Sequence, residues 1–145
     1  MPRSSPPVRN KFKYFETVPT RWNDNDPYGH VNNAVHYFIF DTVVNNYLIK
    51  NNLLDIGESE IIGLVAETGC KFFAPLKYPD PIDVGLTVTK IGTTSVVYEI
   101  GLFAPTSDVA AAAGHFVHIY VDEKTRKPAP LTDDMRRILS LIKSD

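Results

Sequence analysis

The residues able to do chemistry crowd into one stretch, RWNDNDPYGHVNN, from Arg21 to Asn33. Eight of its thirteen side chains are charged, amide or imidazole. Carboxylates and an imidazole this close together suit acid–base or nucleophilic chemistry. A plain turn with a helix cap needs only one or two such residues, yet the apolar run AVHYFIFDTVVNNYLI follows at once. Competing chemistries fail on spacing. His30 and His36 are six apart, whereas one helical face needs three or four. His115 and His118 sit in a strand-like segment and point to opposite faces, with no cysteine pair or carboxylate to complete a metal site. There is no G-x-S-x-G elbow, no phosphate-cradling glycine loop and no dinucleotide fingerprint.

Within the stretch, each residue also has a structural role open to it. Asp26 precedes Pro27, and Asp-Pro is a common turn starter. Asp24 lies two residues back and reads as a tie for the turn. Gly29 suits a backbone angle that other residues resist. Asn32 is a good N-cap. His30 could orient Asp26, contact a substrate or serve as a surface hydrogen bonder.

The elements that must position these residues follow from periodicity. KFKYFETVPTR alternates as a strand, with Phe12, Tyr14 and Glu16 on one side. Asn33 to Lys50 is too long for one strand. Tyr37, Phe40, Val44 and Leu48 share a helical stripe, so a long, largely buried helix is expected. From Ile61 the texture becomes β-rich: IIGLVAETGCKFFA, IDVGLTVTKIG, TSVVYEIGLFA and AAAGHFVHIYVD, separated by Gly, Pro, Thr, Ser or Asp. Four such strands predict an antiparallel meander, against which the helix buries its stripe. Thr132 caps a short final helix with Asp133 and Asp134 in its first turn.

Composition sets the bounds. A chain of 145 residues makes one domain with a real core, here residues 11–145 behind a loose arm at 1–10. The N-terminus has no apolar segment of the secretory kind, and Asp41, Asn45 and Asn46 interrupt the best membrane candidate. A net charge of −2 argues against a nucleic-acid partner. The single cysteine, Cys70, excludes an internal disulfide, fits a cytoplasmic location and reads as a small buried strand residue.

These residues carry a resemblance. DNDPYGHVNNAVHYFIFD resembles the D-x-D-x-x-G-x-V-x-x segment of 4-hydroxybenzoyl-CoA-type acyl-CoA thioesterases. CKFFAPLKYPDPIDVGLTV, SVVYEIGLF and GHFVHIYVD are similar to that family's later strands, so the likeness spans roughly residues 12 to 140. It implies an α+β hotdog fold, a curved antiparallel sheet wrapped around one long helix. It also implies hydrolysis of an acyl-CoA thioester, with coenzyme A as part of the substrate and no other cofactor. By position, Asp26 is the catalytic carboxylate, acting as nucleophile or as general base, and His30 is a candidate catalytic residue beside it. The Asn33 backbone N–H polarises the carbonyl, where a helix N-terminus offers free amides and a positive dipole end.

The resemblance also implies a homodimer or homotetramer that closes the open sheet edges, with the site at the interface and Glu67 and Thr68 contributed from a neighbouring strand. Tyr37 and Phe40 could line an acyl pocket. The family's phosphate-holding basic cluster is reduced here to KIGTTS, in which Lys90, Thr94 and Ser95 are the candidates, as are Arg126 and Lys127 near the last strand. That departure admits acyl-carrier protein as an alternative carrier. The competing functions are a non-catalytic acyl-thioester binding module and a hotdog hydratase or dehydratase.

Overall fold

The computed structural model describes residues 5–145. The elements run β1 (Tyr14–Val18), α1 (Asn33–Lys50), β2 (Ile61–Phe72), β3 (Ile82–Ile91), β4 (Ser95–Phe103), β5 (Ala112–Asp122) and α2 (Asp133–Ser140). The five strands form one antiparallel sheet in the order β1-β3-β4-β5-β2. This is the expected hotdog architecture, with α1 lying along one face of the sheet.

The expected four-strand meander is corrected to three. β3, β4 and β5 are neighbours in turn, but β2 pairs with β5, from Ile61 opposite Asp122 to Phe72 opposite Ala112. The reason lies in residues 73–81. Pro75, Pro79 and Pro81 preclude a tight hairpin there. The amides of Phe73 and Ala74 instead bond the carbonyl of Ala111 at 2.8 and 3.0 Å, anchoring the segment as it crosses from one sheet edge towards the other.

α1 buries His36, Ile39, Phe40, Val43, Val44, Tyr47 and Leu48, and leaves Asp41, Thr42 and Asn46 exposed. Tyr37, expected on the buried stripe, is only half-buried. Opposite the stripe stand Val84, Leu86, Val88, Val96, Tyr98, Ile100, Leu102, Phe116 and Tyr120, which alternate inward along their strands. Phe40 is fully buried and seats on Gly114, where an added Cβ would collide with its ring. It is therefore a core residue and not a pocket wall. Thr132 caps α2 as expected, accepting the Met135 amide at 3.1 Å. Among the described residues, no helix is long and apolar enough to cross a membrane.

Part of the segment read as a loose arm lies outside the described residues, at 1–4. From Pro7 onward it is tied to the 104–111 loop. The Arg9 amide donates to Asp108 and its guanidinium to the Ser107 and Ala104 carbonyls, at 3.0, 2.7 and 2.9 Å. Phe12, expected beside Tyr14, lies instead on the outer sheet face. Its ring covers Gly85 and Gly101 and meets Phe103 edge-on at 5.8 Å.

Candidate active site

The chain reaches α1 through a fastened loop. Asp24 is buried, and its carboxylate takes the Arg21 amide at 2.7 Å and the Arg21 guanidinium at 2.9 Å. Its carbonyl accepts the Asn32 amide at 2.8 Å, so Asp24 ties the turn as its sequence position suggested. Between them, Asn25 bridges Val31, and the Asp26 amide donates to the His30 carbonyl at 2.7 Å. Gly29 closes this small loop at φ +83°, a left-handed angle that favours glycine.

The loop aims the Asp26 carboxylate. Its Oδ1 accepts the Tyr28 amide at 2.8 Å and the His30 amide at 3.2 Å. The other oxygen, Oδ2, has no partner among the described residues, so one end of the carboxylate is fixed and the other is available. His30 does contribute to orienting Asp26, but through its backbone; its ring is on the exposed side.

The helix start is arranged in a complementary way. The Val31 amide bonds the Leu76 carbonyl at 2.7 Å, holding the 73–76 segment against it. The Asn32 side chain accepts the Ala34 amide at 3.0 Å, and its carbonyl accepts the Val35 amide at 2.9 Å. The cap thus satisfies the second and third helical amides, and that of Asn33 has no partner among the described residues. A free N–H at the positive end of an 18-residue helix is a ready donor to an oxygen gaining charge.

Asp26, His30, Asn32 and Asn33 line one cleft of about 440 Å³, walled by Phe72–Leu76. His36 lines it too, although sequence reading weighed it only as half of a failed metal pair. It is 4% exposed, and its Nδ1 lies 3.1 Å from the Asn32 carbonyl. Its ring meets Phe72 edge-on at 4.8 Å. Burial holds the imidazole below its ordinary pKa, with the Asn32 and Asn33 backbone opposing. The signal that could have found it is directional: helical side chains lean towards the N-terminus, so a residue one turn in covers the helix mouth.

A family model of the Thioesterase-like superfamily matches residues 20–139. The chain belongs to that superfamily. The crystal structure of the PA5185 protein from Pseudomonas aeruginosa is similar over 97% of this chain and 98% of that one, with 43% sequence identity and a TM-score of 0.94. Slr0204, a 1,4-dihydroxy-2-naphthoyl-CoA thioesterase from Synechocystis, has the same fold at 18% identity and a TM-score of 0.79, over 88% of this chain and 95% of that one. In sequence, YsmA of Bacillus subtilis is 21% identical over 131 residues, 90% of this chain and 88% of its own.

In this thioesterase-like chain the remaining expected site residues lie away from the cleft. Lys90, Thr94 and Ser95 flank the β3–β4 turn, at the far end of the sheet from Phe72 and Ala112. From Ser95 to Leu102 is seven steps along β4, about 23 Å. Arg126 and Lys127 follow β5 at that same far end. Glu67 is on the outer face of β2, paired with His115 at 2.9 Å, and Thr68 donates to the His115 carbonyl at 2.9 Å. Tyr37 lines a separate groove of about 450 Å³ with Ala34, Phe38, Asp41, Val65 and Phe116, on the flank of α1 just past Asn33. Lys77, unnoticed in the sequence, joins His30 in a cavity of about 290 Å³ beside the cleft. Among the described residues, no cluster of His, Cys, Asp or Glu is placed to hold a metal.

Proposed function

We propose that the chain is an acyl-CoA thioesterase that uses Asp26 and the Asn33 backbone amide on the two sides of one thioester carbonyl. The observation that carries this reading is their pairing in the cleft: a carboxylate with one free oxygen, and a helix-terminal N–H left free by its own cap. Thioester hydrolysis needs an attacking or water-activating group and a donor aimed at the developing oxyanion. One such donor is worth about 3–4 kcal/mol of transition-state stabilisation. Carboxylate, amide and water suffice for the reaction, and coenzyme A enters only as part of the substrate.

The groove past Ala34 gives an acyl chain an apolar path along α1, with Tyr37, Phe38, Val65 and Phe116 as its walls. Lys77, which shares a cavity with His30 beside the cleft, is a cation available to the carrier's anionic end. Lys90, Thr94 and Ser95 would reach the carrier only from another copy of the chain, as would Glu67 and Thr68. Two copies joined through the open edge of β2 form the unit in which such sharing is possible. The lone cysteine suits work in the reducing cytoplasm.

The test is thiol release over a panel of acyl-CoAs and acyl-carrier protein, for wild type and Asp26→Asn. A hydrolase frees thiol, a hydratase alters the acyl chain without freeing it, and a binding module does neither. Asp26→Asn should lose at least about 10²-fold in rate with an unchanged melting temperature. Full activity in that variant would refute the mechanism.

A further inference from the structure

His36 has no part in the reading above, yet it is the most enclosed titratable group of the cleft. With Nδ1 bonded to the Asn32 carbonyl, that nitrogen must carry the ring proton, because a carbonyl only accepts. Nε2 then holds the lone pair. It has no hydrogen-bond partner among the described residues. It is also not sealed from solvent, since among the described residues the buried side-chain nitrogen or oxygen left without a partner is Nδ1 of His118. A fixed tautomer, a ring that lines the cleft braced by Phe72, and an unpartnered basic nitrogen together describe a poised proton acceptor.

We propose that His36 is a catalytic base, taking the proton from the water that hydrolyses an acyl group held on Asp26. The inference rests on the thioesterase reading and selects the nucleophilic route within it. In the first step Asp26 Oδ2 attacks the thioester carbon, a C–O bond forms, the C–S bond breaks, and the thiolate leaves. The product is a mixed anhydride between Asp26 and the acyl group. In the second step water attacks the acyl carbon as one of its protons passes to His36 Nε2. The bond to Asp26 breaks, its carboxylate is restored, and the imidazolium passes its proton to solvent, from which the departed thiolate has drawn one. The acid product loses its remaining proton to solvent. One water is consumed, and one carboxylate, one thiol and one solvent proton are formed.

Burial supports this division of labour by keeping His36 neutral, and so able to accept a proton, at neutral pH. Asp26 and His30 are the other titratable groups lining the cleft; Phe72, Phe73, Ala74, Pro75 and Leu76, the opposite wall, do not titrate. His30 is exposed and its ring has no fixed tautomer, so it offers water no comparably positioned nitrogen.

The experiment is rapid-mixing thiol release with the best acyl-CoA substrate, using wild type, His36→Gln and His36→Asn. Each variant keeps an amide donor for the Asn32 carbonyl but has no basic nitrogen. The expected result is a burst of about one thiol per active site, then turnover slowed about 10²-fold or more. Acid-quenched variant protein should be heavier by one acyl group, and Asp26→Asn should show neither burst nor adduct. If both variants fail to fold, wild type carries the test. Below neutral pH its burst should persist while its steady rate falls.

Steady turnover within a few-fold of wild type in a folded variant would overturn the inference while leaving the thioesterase reading intact. Equal loss of burst and turnover would also overturn it, placing His36 before or outside the hydrolytic step. A wild type that frees no thiol from any acyl-CoA overturns both, and shows that the thioesterase reading failed first.

Discussion

In the proposed mechanism Asn33 acts through its backbone while its side chain is a spectator. The Asn32 cap leaves the Asn33 amide free, and Asn33 is the first residue of α1. Proline is well tolerated at that position, where its missing N–H breaks no helical bond. Asn32 is already extended, at ψ 139°, as a residue before proline must be. Asn33→Ala should therefore keep most thiol-release activity. Asn33→Pro should lose about 10²–10³-fold in kcat with its helix content and melting temperature retained. Equal activity in the two variants would remove the amide from the mechanism. Asp26, Gly29 and Asn32 could be read from the sequence because turn and cap chemistry is local and depends on residue type. The placement of His36 could not, because it depends on where a helical side chain leans and on Phe72, which arrives from another element.

The elements themselves were legible from periodicity, and α1 was expected from Asn33 to Lys50, where it lies. Strand order was not, because the β2–β5 pairing depends on a long-range contact that no local pattern encodes. The interior that β4 and β5 share is unusual. His118 is 1% exposed on the inner side of β5, caged by the ring edges of Tyr98, Phe116 and Tyr120 at 5.6, 5.1 and 5.7 Å. Its Nδ1 has no partner among the described residues, and burial pushes its pKa down to about 4. The folded pKa lies below the unfolded value of 6.5, so the unfolded chain takes the proton first as pH falls. Stability is therefore fully retained above pH 6.5 and is lost between there and about pH 4, by an amount on the order of 3 kcal/mol. Denaturant midpoints measured across that window should fall in wild type, and the fall should shrink in His118→Phe. The slope that remains should include a part from His36, whose pKa is also lowered. A wild-type stability independent of pH there would mean that the cage opens to water.

At the scale of the whole molecule, the two sheet edges are unequal. β1 offers five residues, whereas β2 offers twelve, open along one side among the described residues. Leu64, Val65 and Phe72 on β2 are 40%, 48% and 41% exposed, and Phe38 on the adjoining flank of α1 is 71% exposed. A long apolar edge of this kind templates pairing with another strand, and two identical edges satisfy each other about a two-fold axis. The bulge between Val65 and Glu67 bends the strand without shortening it. Light scattering should thus give wild type a mass of at least twice 16.2 kDa. Leu64→Lys puts a charge on that edge without touching Asp26, Asn33, the core or the groove along α1. It should shift the mass towards 16.2 kDa and expose the Phe38 flank to apolar dyes. If the site draws residues from both copies, thiol release should fall along with the dimer fraction and recover at higher protein concentration. A wild type that stays monomeric at high concentration would show that the β2 edge is blunted in some other way. The cleft around Asp26 and Asn33 would then have to work within a single chain.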